Sequence, residues 1–205
     1  MRILFLGDSI TDAGRDKRNY FHLGKGYAAH TAGLLTQNHP DLPLEFINLG
    51  INGNRSDQVF ARLYKDAIEL QPDIIVLLLG VNDVWHRYAL SKVMTTDEQF
   101  TLNYRIILQK LREMTSAKIL MMEPYLLDDP AKQELWGEEL SRIQVIIREL
   151  AREFADDFVP LQTLFTQALP SQPEERYYSA DGVHPNANGA AFIGDHCAAA
   201  LEKLL

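Results

Sequence analysis

Short, mainly apolar runs alternate along the chain with longer stretches in which apolar residues recur every three or four positions. The first kind comprises Arg2 to Leu6, Leu44 to Leu49, Ile74 to Leu79 and Lys118 to Met122, with a weaker fifth at Phe158 to Leu161. Such runs lack the polar alternation of a half-exposed strand, so they predict strands covered on both faces, as in a parallel sheet. The second kind predicts helices. These are Tyr27 to Gln37, a segment with Val59, Leu63 and Ala67 on one face, a long one carrying Phe100, Tyr104, Ile107, Leu108, Leu111 and Met114, and another carrying Leu140, Ile143, Ile146, Ile147, Leu150 and Phe154. Asn188 to Leu204 closes the chain as a further helix. Ser56 is placed to cap the second of these helices, and Thr96-Asp97-Glu98-Gln99 has the spacing of a capping box before the third.

Strands alternating with helices imply a three-layer α/β/α sandwich, a five-stranded parallel sheet with right-handed crossovers and strand order 2-1-3-4-5. At 205 residues, with no internal repeat, low-complexity tract or linker, residues 1–205 read as one catalytic domain. The Pro/Gln/Glu/Tyr-rich stretch from Pro170 to Tyr178 reads as a loop.

Each of the first three strands stops at a loop of special composition: Gly7-Asp8-Ser9-Ile10-Thr11-Asp12, Gly50-Ile51-Asn52-Gly53-Asn54 and Gly80-Val81-Asn82-Asp83. In an open parallel sheet the carboxyl ends of neighbouring strands share one crevice, so these loops are expected to meet there. A hydroxyl, Ser9, then stands at the tip of the first strand. Asp181 and His184 lie three residues apart before Pro185, a spacing that lets one turn hold a carboxylate against an imidazole. Acyl transfer from an ester needs a nucleophile, a base, a group that orients the base, and donors for the oxyanion. Ser9, His184 and Asp181 supply the first three. The backbone N–H groups of Ser9 and Gly53 and the side-chain amide of Asn82 supply the donors. Each block has a plainer reading when taken alone: Asp8, Ser9 and Asp12 as helix caps, Asp181-x-x-His184 as a solvated turn, Gly80 to Asp83 as an ordinary turn, and Trp85 and Tyr88 as core aromatics.

Composition narrows the partners. The chain carries 20 Lys plus Arg against 28 Asp plus Glu, a formal charge of −8, and no basic cluster, which argues against nucleic acid. The apolar stretch after Met1-Arg2 is too short for a signal peptide, and no run approaches a membrane-spanning length, so the chain reads as soluble and cytoplasmic, with no membrane partner. Cys197, the one cysteine, lies among alanines and reads as a buried small apolar residue. A metal hydrolase built on Asp8, Asp12, Asp83 and His184 lacks the spacing of the usual ligand sets, so no metal and no cofactor is expected. A phosphate-binding module using the helix end at Ser9 is the reading from outside the enzymes.

In order along the chain, Gly7-Asp8-Ser9-Ile10, Gly53, Gly80-Val81-Asn82-Asp83 and Asp181-Gly182-Val183-His184 match the motif blocks of the SGNH (GDSL) hydrolase superfamily. That resemblance covers nearly the whole chain. It implies a flavodoxin-like sandwich and a serine esterase with Ser9 as nucleophile, Gly53 and Asn82 as oxyanion donors, Asp181 as acid and His184 as base. Within the superfamily, Gly7 to Arg15, Gly24-Lys25-Gly26-Tyr27 and Gly80 to Trp85 resemble the acetylxylan-esterase-type carbohydrate deacetylases, although Asn52 stands where Ser is common and Ala180 where an aromatic is expected. The substrate this implies is a small-molecule ester, an acetylated saccharide such as a xylo-oligosaccharide. A lysophospholipase or thioesterase acting on longer acyl chains is the nearest rival. Asp8, Trp85 and Tyr88 are the substrate-binding candidates. The tetrad Trp85-His86-Arg87-Tyr88 suits either a sugar ring or a subunit interface, which leaves a homo-oligomer open.

Overall fold

A computed structural model describes residues 1–89, 92–127, 129–171 and 176–205. The five apolar runs form one parallel sheet in the order β2-β1-β3-β4-β5, with β1 at Arg2–Gly7, β2 at Glu45–Asn48, β3 at Ile74–Leu78, β4 at Lys118–Met122 and β5 at Asp157–Val159. Consecutive residues of a strand point to opposite faces, yet Ile3 to Leu6 and Ile75 to Leu77 are all fully buried. Both faces of the sheet must therefore be covered.

The direction of winding decides which helix covers which face. From β1 the chain moves outward to β2 through α2 (Tyr27–Asn38), then reverses past β1 and proceeds through α3 (Ser56–Leu63), α5 (Asp97–Met114) and α7 (Glu138–Phe154). Right-handed crossovers put helices on opposite faces when the direction of travel reverses. Accordingly α2 packs with α9 (Ala187–Leu201), while α3, α5 and α7 pack in series against one another. The reversal opens a crevice beyond the carboxyl ends of β1 and β3, the strands that Ser9 and Asn82 follow.

Helix boundaries follow local chemistry. Thr96 caps α5 as its spacing predicts: the Gln99 N–H donates to Thr96 Oγ1 at 3.2 Å and the Thr96 N–H to Gln99 Oε1 at 3.0 Å. Ser56 behaves differently from expectation, donating its hydroxyl to Asp83 at 2.6 Å instead of capping its own helix. Three elements have no counterpart in the apolar pattern: α4 (Val81–Tyr88), the turn α6 (Pro130–Lys132) continuing as a π-helical turn over Gln133–Gly137, and α8 (Leu161–Ala168). Cys197 is buried, and burial pushes its thiol up to about 12, which keeps it protonated and inert. Residues 172–175 of the Pro170 to Tyr178 stretch lie outside the described residues. No helix among the described residues is long and apolar enough to cross a membrane.

Candidate active site

The first loop is a single helical turn, α1 (Ser9–Asp12), entered by a sharp change of direction at Gly7 and Asp8. Asp8 Oδ1 accepts the Ile10 N–H at 3.0 Å, which leaves Ser9 half-buried at the head of the turn. The second loop docks directly onto the first: the Ile51 N–H reaches the Gly7 carbonyl and the Asn52 N–H reaches Asp12 Oδ2, both at 3.1 Å. This approach requires glycine at position 50, where a Cβ would lie 2.2 Å from the Asp12 nitrogen. Gly53 is thereby carried to the edge of the crevice.

Asn82 stands in the first turn of α4, 5% exposed, and its Nδ2 donates to the Asn54 carbonyl at 3.2 Å. A primary amide has a second N–H to offer. Beside it, Asp83 accepts the backbone N–H and hydroxyl of Ser56, and burial still raises its carboxyl to about 6.

Asp181 and His184 arrive from the far end of the chain. His184 Nε2 lies 3.0 Å from Ser9 Oγ, and His184 Nδ1 lies 2.8 Å from Asp181 Oδ2. The other carboxylate oxygen accepts the backbone N–H groups of Val183 and His184 at 3.0 and 2.7 Å. Burial alone would raise the Asp181 carboxyl. The hydrogen bonds from the His184 ring and from both backbone N–H groups outweigh it and hold the group at about 2. Asp181 is thus an anion across the working range, able to fix the imidazole tautomer. The turn needs glycine at position 182, whose φ is +78° and whose added Cβ would lie 2.3 Å from the Leu127 carbonyl.

Ser9, Asn52, Gly53, Asn82, Trp85, His86, Ala89 and His184 line a cleft of about 180 Å³. Five of the residues singled out in the sequence, Ser9, Gly53, Asn82, Trp85 and His184, therefore share one wall, with Asp181 behind His184. Two others are placed elsewhere. Asp8 does not reach the cleft: it is 1% exposed, with Oδ2 buried and unpartnered, and burial raises its carboxyl to about 7. Tyr88 is exposed on the far turn of α4, its hydroxyl directed at Glu139, and it does not line the cleft. Arg87 is committed to Glu139 at 2.9 Å and Asp97 at 3.2 Å. Among the described residues no three His, Cys, Asp or Glu side chains are grouped to hold a metal.

The segment 130–137 supplies residues that no motif pointed to. Trp136 is buried and stacks on Trp85 at 6.0 Å between ring centroids, and Trp85 in turn leans on His184 at 5.5 Å. Lys132 Nζ donates to the Asp181 carbonyl and to Asp129 Oδ2, both at 2.6 Å, and lies 5.7 Å from the centre of the Trp85 ring. Asp129-Pro130 is a readable helix start, with the acid as cap and proline in the first turn, but the contacts with a turn some fifty positions away are purely tertiary.

Known proteins resemble this chain over most of its length. Residues 5–192 match the model of the GDSL-like lipase/acylhydrolase family. An acetylxylan esterase of Geobacillus stearothermophilus is 31% identical over 199 residues, covering 92% of this chain and 88% of that protein. The thioesterase 1/protease 1/lysophospholipase L1 of Escherichia coli is 28% identical over 160 residues, covering 78% and 68%. Among solved structures, a GDSL-like protein from Parabacteroides merdae superposes with a TM-score of 0.92 at 34% identity, covering 100% of this chain and 96% of that one. The acetylxylan esterase Axe2 of G. stearothermophilus does so with a TM-score of 0.87 at 27% identity, covering 99% and 93%. With the sheet order, the loop that presents Ser9 and the family match all spanning the same stretch, the chain belongs to the GDSL-like lipase/acylhydrolase family of carboxylic ester hydrolases.

Proposed function

We propose that residues 1–205 act as one catalytic unit, a serine esterase that removes short acyl groups, acetyl above all, from sugars or short xylo-oligosaccharides. The observation that carries this reading is the relay from Ser9 Oγ through His184 to Asp181, opening on a cleft of only about 180 Å³. Sites that enclose a drug-sized ligand measure about 300–1,000 Å³, so this cleft has room for a small acyl group and little more. The relatedness to acetylxylan esterases supports the choice of an acetylated saccharide.

In this mechanism Ser9 Oγ attacks the ester carbonyl carbon while His184 Nε2 takes its proton. Negative charge moves to the carbonyl oxygen, where the backbone N–H groups of Ser9 and Gly53 and the Asn82 amide receive it. Collapse expels the sugar hydroxyl, protonated by His184, and leaves an acyl group on Ser9. Water then attacks with His184 again as base, and acetate departs. Asp181 keeps the ring oriented and stabilises its charged form through both transfers. Trp85 serves as a wall beside His184. One of its faces is already covered by Trp136, so it offers a sugar less than a free ring would.

A p-nitrophenyl ester series from acetate to decanoate tests the reading. The small volume of the cleft beside Trp85, His86 and Ala89 predicts that kcat/KM falls by about 30-fold or more for each two methylenes beyond butyrate, since a methylene with nowhere to go costs about 1–3 kcal/mol. A profile that rises toward octanoate would favour the longer-chain lysophospholipase or thioesterase activity instead.

A further inference from the structure

Arg62 stands on α3 with its side chain 14% exposed, and it is not among the residues lining the cleft. Its guanidinium nevertheless binds the loops after β1 and β2 directly and is one residue removed from Asn82 in the loop after β3. Nη2 donates to the Gly7 carbonyl at 3.0 Å, two residues before Ser9. Nη1 donates at 2.8 Å to the carbonyl of Leu49, just past the end of β2. Nε donates at 2.8 Å to the side-chain oxygen of Asn54, the residue after Gly53. Asn54 passes the constraint on, because its carbonyl accepts the Asn82 amide at 3.2 Å. The Asp66 carboxylate, 2.6 Å from Nη1, balances the buried charge.

We propose that Arg62 is the positioning residue of the oxyanion hole, holding the Ser9, Gly53 and Asn82 donors in register from behind. This rests on the reading of those three residues as oxyanion donors. The three donors come from three separate loops, after β1, after β2 and after β3, and nothing in the chain's connectivity sets their mutual distances. A guanidinium is suited to the task because its five N–H groups lie in one rigid plane, so two carbonyls and one amide oxygen bound to it are fixed relative to each other. A lysine would carry the charge toward Asp66 but could not reproduce the fork. Arg62 never touches the substrate in this scheme. It acts by placing groups that do.

The test is a double-mutant cycle of Arg62→Met with Asn82→Ala, reading kcat, KM and Tm on folded protein. Asn82→Ala alone should lower kcat by about 10²–10³-fold with KM nearly unchanged, because the donor serves the oxyanion and not the ground-state carbonyl. Arg62→Met should lower kcat by about 10–100-fold, again with KM within a few-fold, since small misplacement of a preorganised site has costs of that order. In the double variant the Arg62 change should add no more than about 3-fold, because groups acting through one hole are not independent. An Arg62→Met protein with lowered Tm and near-wild-type kcat, or costs that simply multiply, would overturn the positioning role while leaving the oxyanion reading intact. Loss of no more than a few-fold in Asn82→Ala itself would sink the oxyanion reading and this inference with it. If Arg62→Met fails to fold, Arg62→Lys is judged by the same criteria, since it keeps the charge opposite Asp66 and loses only the fork.

Discussion

Asp8 and Asp181 are carboxylates a few residues from Ser9 and His184 respectively, and their surroundings drive them in opposite directions. Asp181 is pulled to about 2 by hydrogen bonds that outweigh burial, so the stability it contributes is present above the ordinary carboxylate range and is lost only as pH falls through about 2. Loss of turnover under milder acid therefore belongs to other groups. Asp8 is raised to about 7, chiefly by burial, with one oxygen left unpartnered. Its contribution has the reverse sign: fully present below the unfolded carboxylate value, and lost as pH rises through about 7. Asp8→Asn keeps an oxygen for the Ile10 N–H and removes the ionisation. Wild-type Tm should accordingly fall more steeply than that of the variant between about pH 5 and 8, as measured by a thermal-unfolding series. Parallel curves would show that Asp8 does not titrate there. Asp8 also marks a limit of reading by motif. Its place beside Ser9 suggested a substrate contact, but its side chain turns back to cap α1, the plainer of the two readings that the segment allowed.

At the scale of elements, the strands were legible because each is a short, mainly apolar run, and the observed order is one that alternation with right-handed crossovers allows. The helices that escaped are short or polar. In α4 the Asn82-Asp83 pair resembles a turn, and its aromatic end gave no helical period. Pro160 hid the start of α8. The segment 130–137 looked like a polar loop, although its Asp-Pro start was a helix signal. That segment matters because it braces the far side of the site through Trp136 and Lys132. Trp136→Ala removes a ring only 2% exposed and should cost about 3–5 kcal/mol, a Tm drop on the order of 10 °C for a chain of this size. A change below about 3 °C would mean the stack on Trp85 contributes little beyond what solvent would replace. Arg62 escaped for a different reason. It sits next to Leu63 on a helix whose apolar face was read from Val59, Leu63 and Ala67, and a charge beside that stripe looks like part of a solvated face.

At the scale of the whole molecule, the reversal of winding at β1 brings residues 9, 53, 82 and 184 to one crevice from positions spread over most of the chain. The sheet serves as a rigid frame: buried on both faces, it fixes the strand ends, and the glycine-dependent contacts at positions 50 and 182 press the loops onto them. In the proposed mechanism this frame presents Ser9 as a nucleophile. The most direct test of that role is covalent. A fluorophosphonate probe should add once to the intact protein, map to Ser9 by peptide mass spectrometry, and abolish p-nitrophenyl acetate turnover in proportion to labelling. Ser9→Ala should take no label and lose turnover by on the order of 10⁴-fold or more while keeping the wild-type Tm within a few degrees. Labelling at another residue, or acetate-ester turnover persisting in folded Ser9→Ala, would show that Ser9 is not the nucleophile.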